Sequence, residues 1–266
     1  MSRETAQLGL IKASRIVLGE LAEILESYPR AVIAGGFVPY LLIPQDVEPH
    51  EGTVDIDLVL DLDQPGSDSV YTLHEVFDRR LFIQDERRPF RYHKDVDVRG
   101  EHFEVLVELL GGGEPPANGL RRISTEDVYV SVIQGMEVAL VGPLDVQLPG
   151  GAGQSVSVAS LPAFFAMKAV ALERRSVPKK SKDAYDIVYC LRNYPGGEVA
   201  IAEGFAAVSA SPLVRSGIAL LEELFASTDA VGPVAYAEDA PDDDDAALMR
   251  REAFERVNEL LLRLKK

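Results

Sequence analysis

The sequence predicts an α+β fold in two parts, on three observations. Strand-like apolar segments recur between residues 31 and 110 with helical stretches around them. Between about residues 128 and 159, short apolar patches alternate with Gly and Pro turn signals. From residue 161 onward the pattern is helical. A boundary near residue 160 therefore separates a sheet-bearing N-terminal lobe, residues 1–159, from a C-terminal helical lobe, residues 160–266. A chain of 266 residues has length enough for two packed lobes.

The elements follow in order. Leu8, Ile11, Ile16, Leu21, Ile24 and Leu25 repeat at helical spacing, and "YPR" at 28–30 ends that helix. "AVIAGG" at 31–36 reads as a buried strand running into a tight turn. "FVPYLLIP" then starts a helix that Pro44 stops. The polar span "QDVEPHEG" leads into the strand "TVDIDLVLDL", "QPGSDS" is a loop by composition, and "VYTLHEVFDRRLFIQ" has the spacing of a helix. "HFEVLVELL" at 102–110 alternates like a strand and ends at three glycines. "VYVSVI", "MEVALV", "LDVQL" and "SVSVA" read as further antiparallel strands. In the second lobe "LPAFFAMKAVALERR" is a helix with Pro162 in its first turn. "NYPGG" at 193–197 interrupts the helices, and "YAEDAPDDDDA" at 236–246, with six acids and no base, reads as a solvated loop.

Composition narrows the function. The 47% hydrophobic and 26% charged content, with no apolar run near the ~20 residues a bilayer span requires, fits a soluble cytoplasmic protein with no membrane partner. The N-terminus lacks the basic segment and apolar core of a signal peptide. The single cysteine, Cys190, lies in an apolar run and reads as a buried thiol without redox chemistry. A net charge of −16 opposes broad binding to nucleic acid. Two segments keep local positive charge: 168–182 has six bases against one acid, and 79–94 interleaves arginines with Phe82, Phe90 and Tyr92. For 79–94 a solvated helix or loop is the simpler reading. His50, His74, His93 and His102 are scattered without metal-ligand spacing, and neither GxSxG nor GxxxxGK[ST] occurs.

The chemistry is concentrated in "GTVDIDLVLDLD", residues 52–63. Alternate residues of a strand share a face, so Asp55 and Asp57 point the same way roughly 6–7 Å apart, with Val54, Ile56 and Leu58 on the buried side. Carboxylates so placed can share two magnesium ions, which in phosphoryl-transfer sites lie about 3.5–4 Å apart. A half-exposed edge strand would place acids in the same way. The Gly35-Gly36 turn after the preceding strand lets backbone N–H groups approach a phosphate closely. Glu104 and Glu108 share one face of the next strand and offer a third carboxylate. Asp97 is a weaker candidate, and Asp61 and Asp63 read as solvated.

These residues resemble the DNA polymerase β-like nucleotidyltransferases, in which a hydrophobic strand ending in Gly-Gly or Gly-Ser precedes a hydrophobic-Asp-hydrophobic-Asp strand. More narrowly, "IAGGFVPYLL", "GTVDIDLVLD", "VELLG", "FFAMKAVALERR" and "KDAYDIVYCLR" occur in the order of the AbiEii-like nucleotidyltransferase toxins, a resemblance covering about residues 30–195. It implies the nucleotidyltransferase fold, a mixed β-sheet flanked by helices, with the helical lobe completing the active site. It implies that Gly35 and Gly36 hold nucleotide phosphates, that Asp55 and Asp57 bind metal, and that Glu108 rather than Glu104 is the third acid. It also makes Lys168, otherwise a snorkelling helix residue, a contact for the triphosphate, and maps a last acid to Asp183 or Asp186, three apart on one helix face. Lys182, able to pair with Asp186, and Thr53 join the nucleotide-binding candidates. Eighteen residues separate Gly36 from Asp55, more than in compact members, and "QDVEPH" reads as an inserted loop. The implied function is magnesium-dependent transfer of NMP from an NTP to a tRNA 3′ end, as the toxin of a bacterial toxin–antitoxin or phage-defence system with a cognate antitoxin. A small-molecule or protein acceptor, or an inactive binding protein on the same fold, are the alternatives.

Overall fold

A computed structural model describes residues 3–28, 30–44, 50, 55–63, 71–148 and 153–265. Thr53, the segment 45–49, the loop 64–69 and part of "GGAGQS" lie outside the described residues.

The chain divides into two compact units, the first made of Met1–Leu41 and Glu51–Ala159, the second of Leu42–His50 and Ser160–Lys266. In the first unit the opening periodicity forms α1, Arg3–Leu25. Then come β1, Ala31–Ala34, and α2, Phe37–Leu42, which stops short of Pro44. Next are β2, Asp55–Leu60, and α3, Leu73–Arg79. The strands β3, Ile83–Gln84, β4, Arg91–Val98, and β5, Glu101–Gly111, follow. After them come β6, Leu120–Ile123, β7, Val128–Val132, β8, Leu144–Gln147, and β9, Ser155–Val158.

Among the described residues, nine strands form one mixed sheet in the order β3-β4-β5-β2-β1-β9-β8, with β6 and β7 joined beside β5. β2 runs parallel to β5 and antiparallel to β1, while β4 pairs antiparallel with β5. Ile33, Ile56, Leu58, Val105, Val107 and Leu109 are fully shielded from solvent. Burial of these β-branched and leucine side chains, at about 25 cal/mol per Å² of apolar surface, is what holds the register.

The second unit contains α4, Leu161–Arg174, α5, Val177–Asn193, and α6, Gly197–Val208. It continues with α7, Pro212–Leu224, α8, Val231–Tyr236, and α9, Asp243–Leu264. Pro162 and Pro178 each occupy a first turn, where their missing N–H costs no hydrogen bond. Phe164, Phe165, Leu172, Ile187, Phe205, Leu221 and Val257 make up much of the core. Cys190 is buried, as its apolar context predicts.

Four local expectations need correction. The basic segment 79–94 is not helix or loop throughout: it closes α3 and, between the turns at 80–82 and 85–90, builds β3 and the first half of β4. "MEVALV" is a 3₁₀ turn over Met136–Leu140, not a strand, because Gly135 enters it in the left-handed region at φ 90°. "YAEDAPDDDDA" is not simply a loop: Asp242 caps α9 by accepting the Asp245 N–H at 2.9 Å, and Asp243–Asp245 occupy the first turn. Carboxylates there face the positive end of the helix dipole, which stabilises them. Asp61 is not merely solvated, since it pairs with Arg30 at 3.0 Å.

Where α7 meets α4, a Cβ added to Gly217 would lie 2.3 Å from the Ala166 Cβ and 2.6 Å from its Cα. Helix propensity would favour Gly217→Ala by about 1 kcal/mol, but two helix backbones would have to separate, which typically costs about 1–3 kcal/mol. At such short approach the clash wins. Gly217→Ala should lower unfolding stability in urea; a variant as stable as the parent would contradict this packing.

Candidate active site

In the first unit, strand pairing sets four residues in one row. Ala34 of β1 pairs with Asp57 of β2, Asp57 with Glu108 of β5, and Glu108 with Arg91 of β4. Cross-strand partners share a sheet face, so Asp57 and Glu108 project side by side, with Asp55 two residues before Asp57 on the same side. All three are half-buried, while Ile56 and Leu58 between and after the aspartates are fully buried. Over Asp55–Leu58 the strand is thus apolar on one face and acidic on the other, with the buried Val59 continuing the acidic face. It lies between β1 and β5 rather than at an edge of the sheet.

The turn after β1 is shaped by Asp57. Gly35 has φ 66°, and a Cβ built on it would fall 1.8 Å from Asp57 Oδ2. Both the backbone conformation and the space taken by the carboxylate require glycine there. Gly36 is buried beside it.

Glu108 is engaged by Arg91, whose Nε donates to Oε1 at 2.8 Å and whose Nη2 also reaches Oε1. Arg91 is a partner of Glu108 that the sequence pattern does not single out. Glu104 is exposed, 3.3 Å from His93 Nδ1, and Asp97 is exposed and accepts the Gly100 N–H. Among the described residues, no three acid, histidine or cysteine side chains already converge as a metal-binding cluster. The donor set nonetheless suits a hard cation: Asp55 and Asp57 supply carboxylate oxygens on one face, and Arg91 contacts only one oxygen of Glu108.

The second unit holds a buried charge cluster. Lys168 on α4 lies 2.9 Å from Asp183 Oδ1 and 2.5 Å from Asp186 Oδ2, both on α5. The Asp186 contact is an ion pair rather than an aligned hydrogen bond. Arg175, just after α4, donates to both oxygens of Asp183 at 3.0 Å. His50 Nε2 is 2.8 Å from Asp186 Oδ1, and both side chains are fully buried. Lys182 is exposed, and Asp186 pairs with Lys168 and His50 in its place. Lys168 is itself buried, so the snorkelling alternative does not apply.

Burial alone would discharge these groups, yet their mutual attraction prevails. Desolvation pulls the Lys168 pKa down, but Asp186 and Asp183 outweigh it and leave it raised. For Asp186, desolvation pushes upward, while Lys168 and the His50 hydrogen bond outweigh it and leave it lowered. Two acids face two cations, Lys168 and Arg175, which is the balance a buried cluster requires.

The chain matches, over residues 52–257, the family described as "Nucleotidyl transferase AbiEii toxin, Type IV TA system". It belongs to that family, and it is a nucleotidyltransferase. The match includes Asp55, Asp57, Glu108, Lys168, Asp183 and Asp186, whereas Gly35, Gly36 and His50 precede it. No curated protein matches the chain. Among solved structures, it is similar to an antigenic nucleotidyltransferase-like protein from Paracoccidioides brasiliensis, with 16% identity over 90% of this chain and 93% of that one and a TM-score of 0.40. Among the described residues, no helix is long and apolar enough to cross a membrane.

The cluster contributes to the pH dependence of stability. Asp186, with its folded-state pKa below the ordinary 3.8, contributes stability that is fully present above that value and lost as pH falls through the lowered one. Lys168, raised above 10.5, contributes stability present below that value and lost as pH rises through the raised one. Lys168→Met should cost about 3–5 kcal/mol in urea unfolding near neutrality, because it leaves buried carboxylates undercompensated. Asp186→Asn should flatten the loss of stability on acidification. A Lys168→Met protein as stable as the parent would contradict the ion-pair geometry.

Proposed function

We propose that the protein transfers a nucleoside monophosphate from an NTP to the 3′ end of tRNA, with magnesium, as the toxin partner of a cognate antitoxin acting in the cytoplasm. The observation that carries this reading is the row in which Asp57 lies against Gly35 and beside Glu108. Asp55 and Asp57 would hold two magnesium ions, with Glu108 completing the set through the oxygen Arg91 does not contact. Such ions, when bound, neutralise triphosphate oxygens and lower the pKa of a coordinated hydroxyl.

The remaining steps fall to the chain's own groups. The amides of the Gly35-Gly36 turn would bind phosphate oxygens, with Thr53 and Lys182 as further contacts. The acceptor hydroxyl attacks the α-phosphorus: a new P–O bond forms, the bond to the β-phosphate oxygen breaks, and pyrophosphate leaves. Glu108 would assist removal of the hydroxyl proton. Lys168 donates to Asp183 and forms an ion pair with Asp186, and its ammonium would offer a further N–H to the triphosphate as charge builds on the leaving group. Residues 1–159 would thus supply the metal-binding acids and residues 160–266 the phosphate-binding lysine, with Asp183 and Asp186 orienting it. Exposed bases of the two segments, among them Arg87, Arg88, Arg174 and Lys179, would give the RNA backbone places to bind despite the negative total charge.

The test is incubation with each labelled NTP, magnesium and total tRNA, beside Asp55→Ala/Asp57→Ala. Label should appear on RNA and fall on the order of a thousandfold in the variant, the equivalent of several kcal/mol of lost transition-state stabilisation. Label on protein or on a small hydroxyl compound would move the acceptor. No metal-dependent nucleotide binding would overturn the proposal.

A further inference from the structure

His50 is one of four histidines scattered through the sequence, and it closes the polar span that reads as an inserted loop. The fold brings it against α5, 136 residues along the chain from Asp186. Its ring packs on Tyr189, with centroids 4.8 Å apart at 72°, and on Tyr185 at 5.6 Å and 38°. An ionised carboxylate offers only acceptors, so His50 Nε2 must carry the proton it shares with Asp186 Oδ1 at 2.8 Å. The other oxygen of Asp186 faces Lys168 at 2.5 Å. Among the described residues, the charged and titratable groups around the contact include Asp186, Lys168, Asp183, Arg175, Tyr185, Tyr189 and the buried Cys190.

We infer that His50 is a positioning residue for nucleotidyl transfer: its Nε2–H holds one oxygen of Asp186, so that Asp186 meets Lys168 through the other oxygen alone. This rests on the phosphate-binding role proposed for Lys168. The physical reason is that a buried carboxylate satisfies both oxygens. Without the imidazole donor, Asp186 turns to engage Lys168 with both, and the ammonium is held back from the leaving pyrophosphate. The two tyrosines fix the ring, and the ring fixes the carboxylate. A group acting only as pyrophosphate departs affects the transition state more than the ground state, so the loss appears in kcat with KM for NTP nearly unchanged.

Three variants test this, each checked by circular dichroism and thermal melting. His50→Leu fills the space without a donor and should lower kcat about 10- to 100-fold with KM within about twofold. His50→Gln places an amide N–H near the position of Nε2 and should recover kcat to within about fivefold of the parent. If His50→Leu does not fold, His50→Asn, equally polar but one methylene too short, takes its place and should show the same loss. Parental kcat in the donorless or shortened variant, or equal losses in Gln and Leu, would overturn the inference. Nitrogen-15 NMR of the imidazole needs no activity: Nε2 should be protonated in the parent, with its proton exchanging faster in Asp186→Ala. An unprotonated Nε2 overturns the role of His50 whether or not nucleotide is transferred. Absence of transfer alongside a protected Nε2 proton overturns the activity reading and the positioning role of His50 that depends on it, leaving the hydrogen bond intact.

Discussion

Ala34, Asp57, Glu108 and Arg91 lie in one register across four adjoining strands, and the acidic face of the first unit depends on that alignment. A slip of one residue between β2 and β5 would turn Asp57 toward the buried side and bring Leu58 out. The apolar half of the same strands prevents the slip, since Ile56, Leu58, Val107 and Leu109 have no solvent exposure. The core therefore determines where the carboxylates stand. Gly35 belongs to the same constraint, because the space its missing side chain leaves is filled by Asp57.

The second unit solves a different problem, burying charge. Asp183 and Asp186 are on α5, Lys168 on α4, and each acid is shared with a second partner, Arg175 or His50. Removing water strengthens every attraction in the cluster and penalises any group left unmatched. Rigid placement of a lysine by two helices suits binding of a charged ligand, where a flexible surface lysine would lose more side-chain entropy.

Much of this architecture is legible from residue periodicity. β1, β2 and β5 are apolar at alternate or successive positions, and α4 combines a proline in its first turn with a broad apolar surface. Asp55 and Asp57 interrupt an aliphatic strand at a spacing of two, and that spacing by itself places them on one face. β4 is not legible in the same way, because Arg91, His93, Lys94, Asp95 and Asp97 hide its alternation: Lys94 is a buried residue that pairs with Glu20 at 3.0 Å. The acids at 242–245 read as solvated because a run of like charge hides a helix start that only an N-cap hydrogen bond reveals. His50 and Arg91 owe their places to pairing across sequence, 136 and 17 residues from their partners. Periodicity within one segment carries no information about such contacts.

The central claim is that Asp55 and Asp57 are the metal-binding acids of a nucleotidyltransferase. Anomalous diffraction from crystals grown with manganese and a non-hydrolysable nucleoside triphosphate addresses it directly. The account predicts manganese density on the carboxylates of Asp55 and Asp57 with triphosphate oxygens coordinated to the same ions. Triphosphate bound with no manganese at either aspartate would contradict it.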